Sequence, residues 1–354
     1  MLRAVANPLA SGALPSNVTS ASLNSITPAG GALDVNGIVE ADSYKIGGEF
    51  VVRAQPVAGN YFLGRSGNLT NTGSGNTGVG DLALSALTTG VDHTAVGSGA
   101  LQNITGAVGN TAVGRLALNV ATTATNNTAL GDSCLRQTTT GNLNVAVGYT
   151  TMDANTTGQY NTAVGAGPLR ANTTGESNVA IGRSAMFLNT TSSLNTAVGD
   201  LALYFCNAGE GTAVGALSLY QATARRNTAI GTYAGFAITS GESNTFIGYD
   251  CGSTSQTATV SRSIAIGNGA FTTADDQCVI GGSNITETKL RNVSVTGAIS
   301  ATTRVNYPSF TVATLPAVGS AGGNIYVSDE SGGAQPAFSD GTNWRRYTDR
   351  AVVS

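Results

Sequence analysis

Charge is scarce in this chain. Asp, Glu, Lys and Arg make up 10% of its 354 residues, and the net charge is -3. That leaves no electrostatic footprint for nucleic acid or an anionic membrane. Aromatic residues are 6%, with a single Trp, and there is one histidine, His93. One histidine cannot supply a multi-histidine metal site within a chain, and the serines lack a Ser/His/Asp constellation. The sequence therefore implies no metal and no cofactor. The four cysteines do not make a disulfide framework. Cys134 and Cys251 hold equivalent positions seven repeats apart, about 33 Å at strand spacing. All four are expected to be free and buried, as in a reducing compartment. No run approaches the ~20 apolar residues of a membrane span. Residues 1–20 lack a charged start followed by an apolar run, so no signal peptide is expected.

What the chain does have is repetition. From residue 60 to 282 a unit such as Asn110-Thr111-Ala112-Val113-Gly114-Arg115-Leu116-Ala117-Leu118 returns about every 17 residues. Its glycines fall at 64, 80, 97, 114, 131, 148, 165, 182, 199, 215, 231, 248, 267 and 281. The period is too short for helical arrays or propellers and suits one coil of a β-solenoid. The expected fold is all-β: an elongated β-solenoid or β-roll with 17-residue turns. Fourteen turns at about 4.8 Å each give a rod of roughly 65 Å.

The columns of the repeat have distinct characters. The residue before each glycine is aliphatic in all fourteen turns, from Leu63 to Ile280. That uniformity predicts an interior column. Ala stands two before the glycine in ten turns, and strand alternation puts it on the opposite face. A flat Ala/Gly face lets another backbone approach closely. This reading makes Ala112, Ala129, Ala146, Ala163, Ala180 and Ala197 the candidate contacts of a homotrimer. Asn four before the glycine suits a left-handed corner. Leu or Met four after it forms a second inward column. Arg65 precedes Asp81 by one turn, Arg115 precedes Asp132, and Arg183 precedes Asp200. Each pair would meet along the axis and help set register.

Four segments are expected. Residues 1–59 are an N-terminal attachment arm and collar, and 60–282 the solenoid. Residues 283–305 are a collar or linker, and 306–354 a small C-terminal β tip domain. Val35-Asn36-Gly37-Ile38-Val39-Glu40-Ala41 and Val295-Thr296-Gly297-Ala298-Ile299-Ser300-Ala301 flank the repeats as related candidate caps. The tip segment concentrates aromatic and basic groups: Tyr307, Phe338, Trp344, Arg345, Arg346 and Tyr347. Aromatic rings stack on sugars and Arg forks match anionic groups, so these are candidate receptor contacts. The plainer reading of Trp344 is as core of the small domain. Tyr149 and Tyr249, each just after a repeat glycine, are further possible contacts.

The recurring Asn-Thr-Ala-Val-Gly, with variants such as Asn178-Val179-Ala180-Ile181-Gly182, resembles the head repeat of YadA-type trimeric adhesins. The terminal run Gly333-Ala334-Gln335-Pro336-Ala337-Phe338-Ser339-Asp340-Gly341-Thr342-Asn343-Trp344-Arg345-Arg346, continuing to Asp349-Arg350-Ala351-Val352-Val353-Ser354, resembles the C-termini of tail fibres of tailed bacteriophages. The collar-like strings are similar to phage fibre shafts. The resemblances imply a homotrimeric fibre of the virion, assembled in the host cytoplasm. Its N-terminal region would join a tail or baseplate protein, and the fibre would bind a host-surface glycan or protein. It would need no cofactor and insert into no membrane. Three alternatives carry other chemistry. A tailspike glycan depolymerase needs two carboxylates about 5–9.5 Å apart. Asp132 and Asp200 lie four turns apart, and Asp275-Asp276 would point to opposite faces of a strand. A bacterial trimeric surface adhesin would be expected to carry an export signal. An ice-binding rod would use the Thr77, Thr94, Thr111, Thr128 column, which this reading turns inward.

Overall fold

In the computed structural model the described residues are 43–46, 49–55, 59–68, 70–253, 258–282, 309–310, 324–327, 335–339 and 342–346. They divide between two units, 1–288 and 289–354.

The first unit is a parallel β-solenoid. Its opening strands are β1 (Ser43–Ile46), β2 (Glu49–Gln55) and β3 (Asn60–Leu63). Three-residue strands then recur once per coil. They run through β4 (Thr77–Val79), β5 (Thr94–Val96), β6 (Thr111–Val113), β7 (Thr128–Leu130), β8 (Val145–Val147) and β9 (Thr162–Val164). They continue with β10 (Val179–Ile181), β11 (Thr196–Val198), β12 (Thr212–Val214), β13 (Thr228–Ile230), β14 (Thr245–Ile247), β15 (Ile264–Ile266) and β16 (Cys278–Ile280). β3 to β16 pair in sequence order and in parallel, with like positions aligned: Ala112 faces Ala129, and Val113 faces Leu130. At the N-terminal end the edge is covered by β2 antiparallel to β3, with β1 antiparallel to β2. Such pairing protects an edge that would otherwise recruit other chains. The sequence placed this cap at residues 35–41, which, like 295–301, lie outside the described residues.

Strand alternation holds, but the faces are the reverse of the expected ones. The middle residue of each three-residue strand points inward: Ala95, Ala112, Ala129, Ala146, Ala163, Ala180 and Ala197 are all 0% exposed. The aliphatic residue before the glycine points outward. Eight of these, from Leu63 to Ile280, are 37–46% exposed. The six proposed alanine contacts are therefore enclosed within their own chain and cannot meet a partner. The cause is width. A 17-residue coil is flat, and the column of Leu84, Leu101, Leu118, Leu135, Met152, Leu169, Met186, Leu203 and Leu219 fills the space behind the strand. Only a methyl group fits between. Where the strand residue is instead Phe246, the two flanking members of the Leu column are glycines. A Cβ on Gly235 would lie 2.9 Å from the Phe246 ring, and one on Gly252 2.5 Å.

The interior leucines take an unusual backbone. Leu84, Leu101, Leu118 and Leu135 have φ of 48–55°, the left-handed region that L-residues seldom occupy. Burial offsets that cost, and each N–H donates to the next coil: Leu118 to the Cys134 carbonyl at 3.0 Å, Leu135 to Thr151 at 3.0 Å. The interturn ladder thus continues beyond the strands. From Gly80 to Gly267 the repeat glycines have φ of 122–143°, and each packs on the glycine one coil on.

Asn is not at a corner. Asn110, Asn127, Asn144, Asn161 and Asn178 form a buried column. Each Oδ1 accepts the backbone N–H of the next Asn, as in Asn127 to Asn110 at 3.0 Å, and each Nδ2 donates to a carbonyl, as in Asn127 to Gly141 at 2.9 Å. A buried amide with every group bonded fixes register as well as adding stability. The left-handed corner belongs to the residue before it, such as Asn126, Leu143 or Tyr160.

His93 replaces Asn in this column and is fully buried. Its Nδ1 accepts from the Asn110 N–H at 3.2 Å, while Nε2 lies buried opposite the Ala107 carbonyl without a well-formed bond. Burial lowers its pKa below the ordinary 6.5, with Ala107, Asp92 and Asn110 opposing. A histidine that is harder to protonate folded than unfolded gives full stability above the unfolded value. That stability is lost as pH falls below 6.5 toward the folded pKa. We expect the Asn110 amide to lose exchange protection between pH 7 and 5, after correction for intrinsic rates. The Asn161 amide, bonded to Asn144 at 3.0 Å, should not. His93→Asn should abolish the difference; equal protection of Asn110 at both pH values would refute the assignment.

The cysteines are free. Cys134, Cys206 and Cys251 are buried, with thiol pKa values pushed up by burial to about 12, about 11 and about 11. Cys278 departs from expectation: it is exposed, on the outward face of β16.

In the second unit, β17 (Ser309–Phe310), β18 (Asn324–Val327), β19 (Gln335–Ser339) and β20 (Trp344–Arg346) form one four-stranded sheet.

Candidate functional site

Four of the six sequence-predicted contacts of the second unit, Phe338, Trp344, Arg345 and Arg346, sit on its antiparallel hairpin. Phe338 pairs with Arg345, Ser339 with Trp344 and Ala337 with Arg346. Trp344 is 8% exposed and so lies in the packed part of the sheet. Phe338 and Arg345 are half-buried. Arg346 belongs to β20 by its backbone, and Tyr307 and Tyr347 lie outside the described residues. In the solenoid Tyr149 and Tyr249 are both strongly exposed.

Three expected ion pairs are present. Arg65 reaches Asp81 at 2.6 Å, Arg115 reaches Asp132 at 2.9 Å, and Arg183 reaches Asp200 at 2.7 Å. All are largely solvated, so each contributes little to stability, and their use is in alignment. Asp275 and Asp276 do not point to opposite faces. They occupy a turn, and Arg262 contacts both, at 3.4 and 2.7 Å. Hydrogen bonding to Arg262 holds Asp276 below the ordinary carboxylate range, and Arg65 does the same for Asp81. A glycosidase acid needs the opposite shift. Among the described residues no cluster of His, Cys, Asp and Glu could hold a metal ion, and no helix is long and apolar enough to cross a membrane.

Among the described residues, the outward face of β3 to β16 forms a regular surface feature. It carries two parallel columns. One is aliphatic: Leu130, Val164, Ile181, Val214, Ile230 and Ile247 are among its most exposed members. The other is mainly threonine, including Thr77, Thr94, Thr111, Thr128, Thr162 and Thr196. The Thr column is thus outward, not partly inward as the sequence suggested. Neighbouring rungs are about 4.8 Å apart. A continuous apolar strip of this kind is a mark of an interaction surface.

A second feature was not singled out from sequence. Five residues after the repeat glycine, the column reads Arg136, Asp153, Arg170, Phe187, Tyr204, Tyr220, Phe236. Arg136 pairs with Asp153 at 2.8 Å, and Arg170 lies over the Phe187 ring at 5.6 Å. Phe187, Tyr204, Tyr220 and Phe236 then stack in series at 5.4, 5.3 and 5.5 Å. Phe205 stands across Tyr204 and Tyr220 at 73° and 84°. The signal was available, since these aromatics recur at the repeat spacing. No family model matches the chain, and no curated protein and no solved structure is significantly similar to it.

Proposed function

We propose that this chain is the subunit of a homotrimeric, non-catalytic tail fibre of a tailed bacteriophage, which attaches the virion to a host cell. The solenoid is the spacer. Residues 1–59 join the tail or baseplate, and residues 306–354 form a tip that touches the host. The observation carrying this reading is the uncovered aliphatic column running along β3 to β16. Covering it with two further copies around a three-fold axis buries the strip and closes the assembly against further growth. The resemblance of the repeat to trimeric adhesin heads, and of residues 333–354 to phage fibre termini, supplies the viral setting. Weak contacts repeated three times on one rod gain by avidity.

The test is the oligomeric state. Wild type should sediment as a trimer, and Val164→Glu or Ile181→Glu should release folded monomers, because both side chains point away from the chain's own core. A folded wild-type monomer, or glutamate variants that remain trimeric, would overturn the arrangement. Time-dependent release of oligosaccharide from host envelope polysaccharide would replace the adhesive reading with the depolymerase one.

A second reading rests on the outward Thr column. On a monomeric rod, a flat and regular Thr-x-Val array would suit adsorption to ice. Thermal hysteresis by a purified monomer would favour it.

A further inference from the structure

Against a repeat this uniform, a functional site should appear as a departure from it. The coils between Gly199 and Gly231 depart in two ways. Both intervals are 16 residues rather than 17. Their outer loops, Asn207-Ala208-Gly209 and Thr223-Ala224-Arg225, replace the Thr-Thr-Gly found at 156–158 and 173–175.

The chemistry also changes there. Six residues after the glycine, other coils carry residues such as Gln137, Ala154, Ala171, Leu188 and Ala237. The coil of Gly199 carries the one aromatic residue at this position, Phe205, and the next carries Gln221, a glutamine like Gln137 in its coil. Phe205, Gln221, Thr223 and Thr239 line a shallow, open cavity of about 360 Å³. Phe205 is 38% exposed. Tyr204 and Tyr220 cover each other's faces by stacking, but Phe205 is turned nearly perpendicular to both, with centroids 5.0 and 5.3 Å away. Two edge contacts hold its ring in place and leave part of it open. The Gln221 side chain is exposed and makes no hydrogen bond among the described residues. The Thr223 hydroxyl donates to the Thr239 carbonyl at 3.1 Å, and the Thr239 hydroxyl to Ala258 at 3.3 Å. Both oxygens retain lone pairs to accept.

We infer that this cavity binds a neutral sugar residue of a surface glycan. A pyranose has an apolar C–H face and a rim of hydroxyls. The fixed ring of Phe205 matches the first. The lining itself is almost wholly apolar, so the hydroxyls would be met at its edge by the exposed Gln221 amide, a donor and an acceptor. The described residues that line the cavity are uncharged, and the inference is accordingly drawn for a neutral sugar. The inference rests on the attachment reading above and moves a glycan contact from the tip to the solenoid. In a trimer the site would occur three times at one height.

The test uses the full-length protein and an array of neutral gluco-, galacto-, manno- and rhamno-oligosaccharides, with sialylated and uronate oligosaccharides alongside. At least one neutral oligosaccharide should bind. Phe205→Ala and Gln221→Ala should each weaken that binding about tenfold or more, the scale of a contact hot spot. Phe205→Leu keeps apolar bulk without a ring and should lose binding with unchanged melting. Tyr160→Ala, which removes an exposed ring outside the patch, should bind as wild type. Binding to acidic sugars only, no binding, or binding that survives Phe205→Leu and Gln221→Ala would overturn the inference. A trimer that adheres to cells yet binds no neutral oligosaccharide removes this site and leaves the fibre reading intact. A monomer that binds one does the reverse.

Discussion

Gly148→Ala should break the rod locally and severely. The backbone at Gly148 has φ 129°, a conformation L side chains rarely adopt. An added Cβ would also sit 1.9 Å from the Gly165 carbonyl oxygen in the next coil. That oxygen is backbone and cannot move without breaking the ladder on both sides. Strain and overlap together put the cost above about 4 kcal/mol, in the exceptional class of single substitutions. A solenoid is quasi-one-dimensional, so the damage should stay near its origin. Hydrogen exchange is expected to show lost protection around residues 128–181 and near-normal protection around β13 and β14. Wild-type protection at Val147 and Val164 in the variant would show that the column tolerates a side chain.

Phe246→Ala should cost about 3–5 kcal/mol, the usual range for emptying a buried aromatic site. The ring fills space that Leu occupies elsewhere, held between Gly235 and Gly252. The more discriminating result is the combined variant. Adding Gly235→Leu and Gly252→Leu to Phe246→Ala recreates the pattern of the other coils. Both glycines already have φ near 65°, close to that of the interior leucines. The triple variant should recover most of the lost stability, whereas either leucine alone on the wild-type background should overpack and destabilise. Additive losses in equilibrium unfolding, with no recovery, would mean that these positions do not share one space.

That exchange of Phe for Ala and Gly for Leu also marks how far the sequence could be read. The period, the all-β class, the strand positions and the three Arg–Asp pairs follow from spacing alone. Which face points inward does not. Hydrophobicity ranks Val above Ala for the interior, but available width outranks hydrophobicity in a coil this flat. The volume trade at Phe246, Gly235 and Gly252 was a local clue to the true orientation, and Phe62 against Gly67 was another. Asn misled for a related reason. Its preference for corners is a tendency of isolated turns, and a stacked repeat offers an alternative: an amide column bonded coil to coil. The aromatic column escaped notice because each ring looks like an isolated exception until aligned by period. The proposed tip contacts were legible only as composition. Trp344 is buried in its sheet, which leaves the ring less to offer a ligand than its residue type suggests.

The aligned columns have a genetic consequence. Removing residues 149–165 would join Gly148 to Ala166, and every later side chain would fall into its former column. Loss of a single residue from a strand would rotate the columns that follow it, placing Val in the alanine slot, whereas the outer loops absorb changes of length, as the 16-residue coils after Gly199 and Gly215 keep their strands in register. Reach along the axis can therefore change only in whole steps of about 4.8 Å, by gain or loss of complete coils. Coils from the uniform stretch before Phe187 are interchangeable in this sense. Those from Phe187 to Gly252 are not, because stacked rings and the Phe246 exchange tie each to its own neighbours. Recombination between near-identical repeats would lengthen or shorten the first part of the rod freely while leaving the second as a fixed cassette.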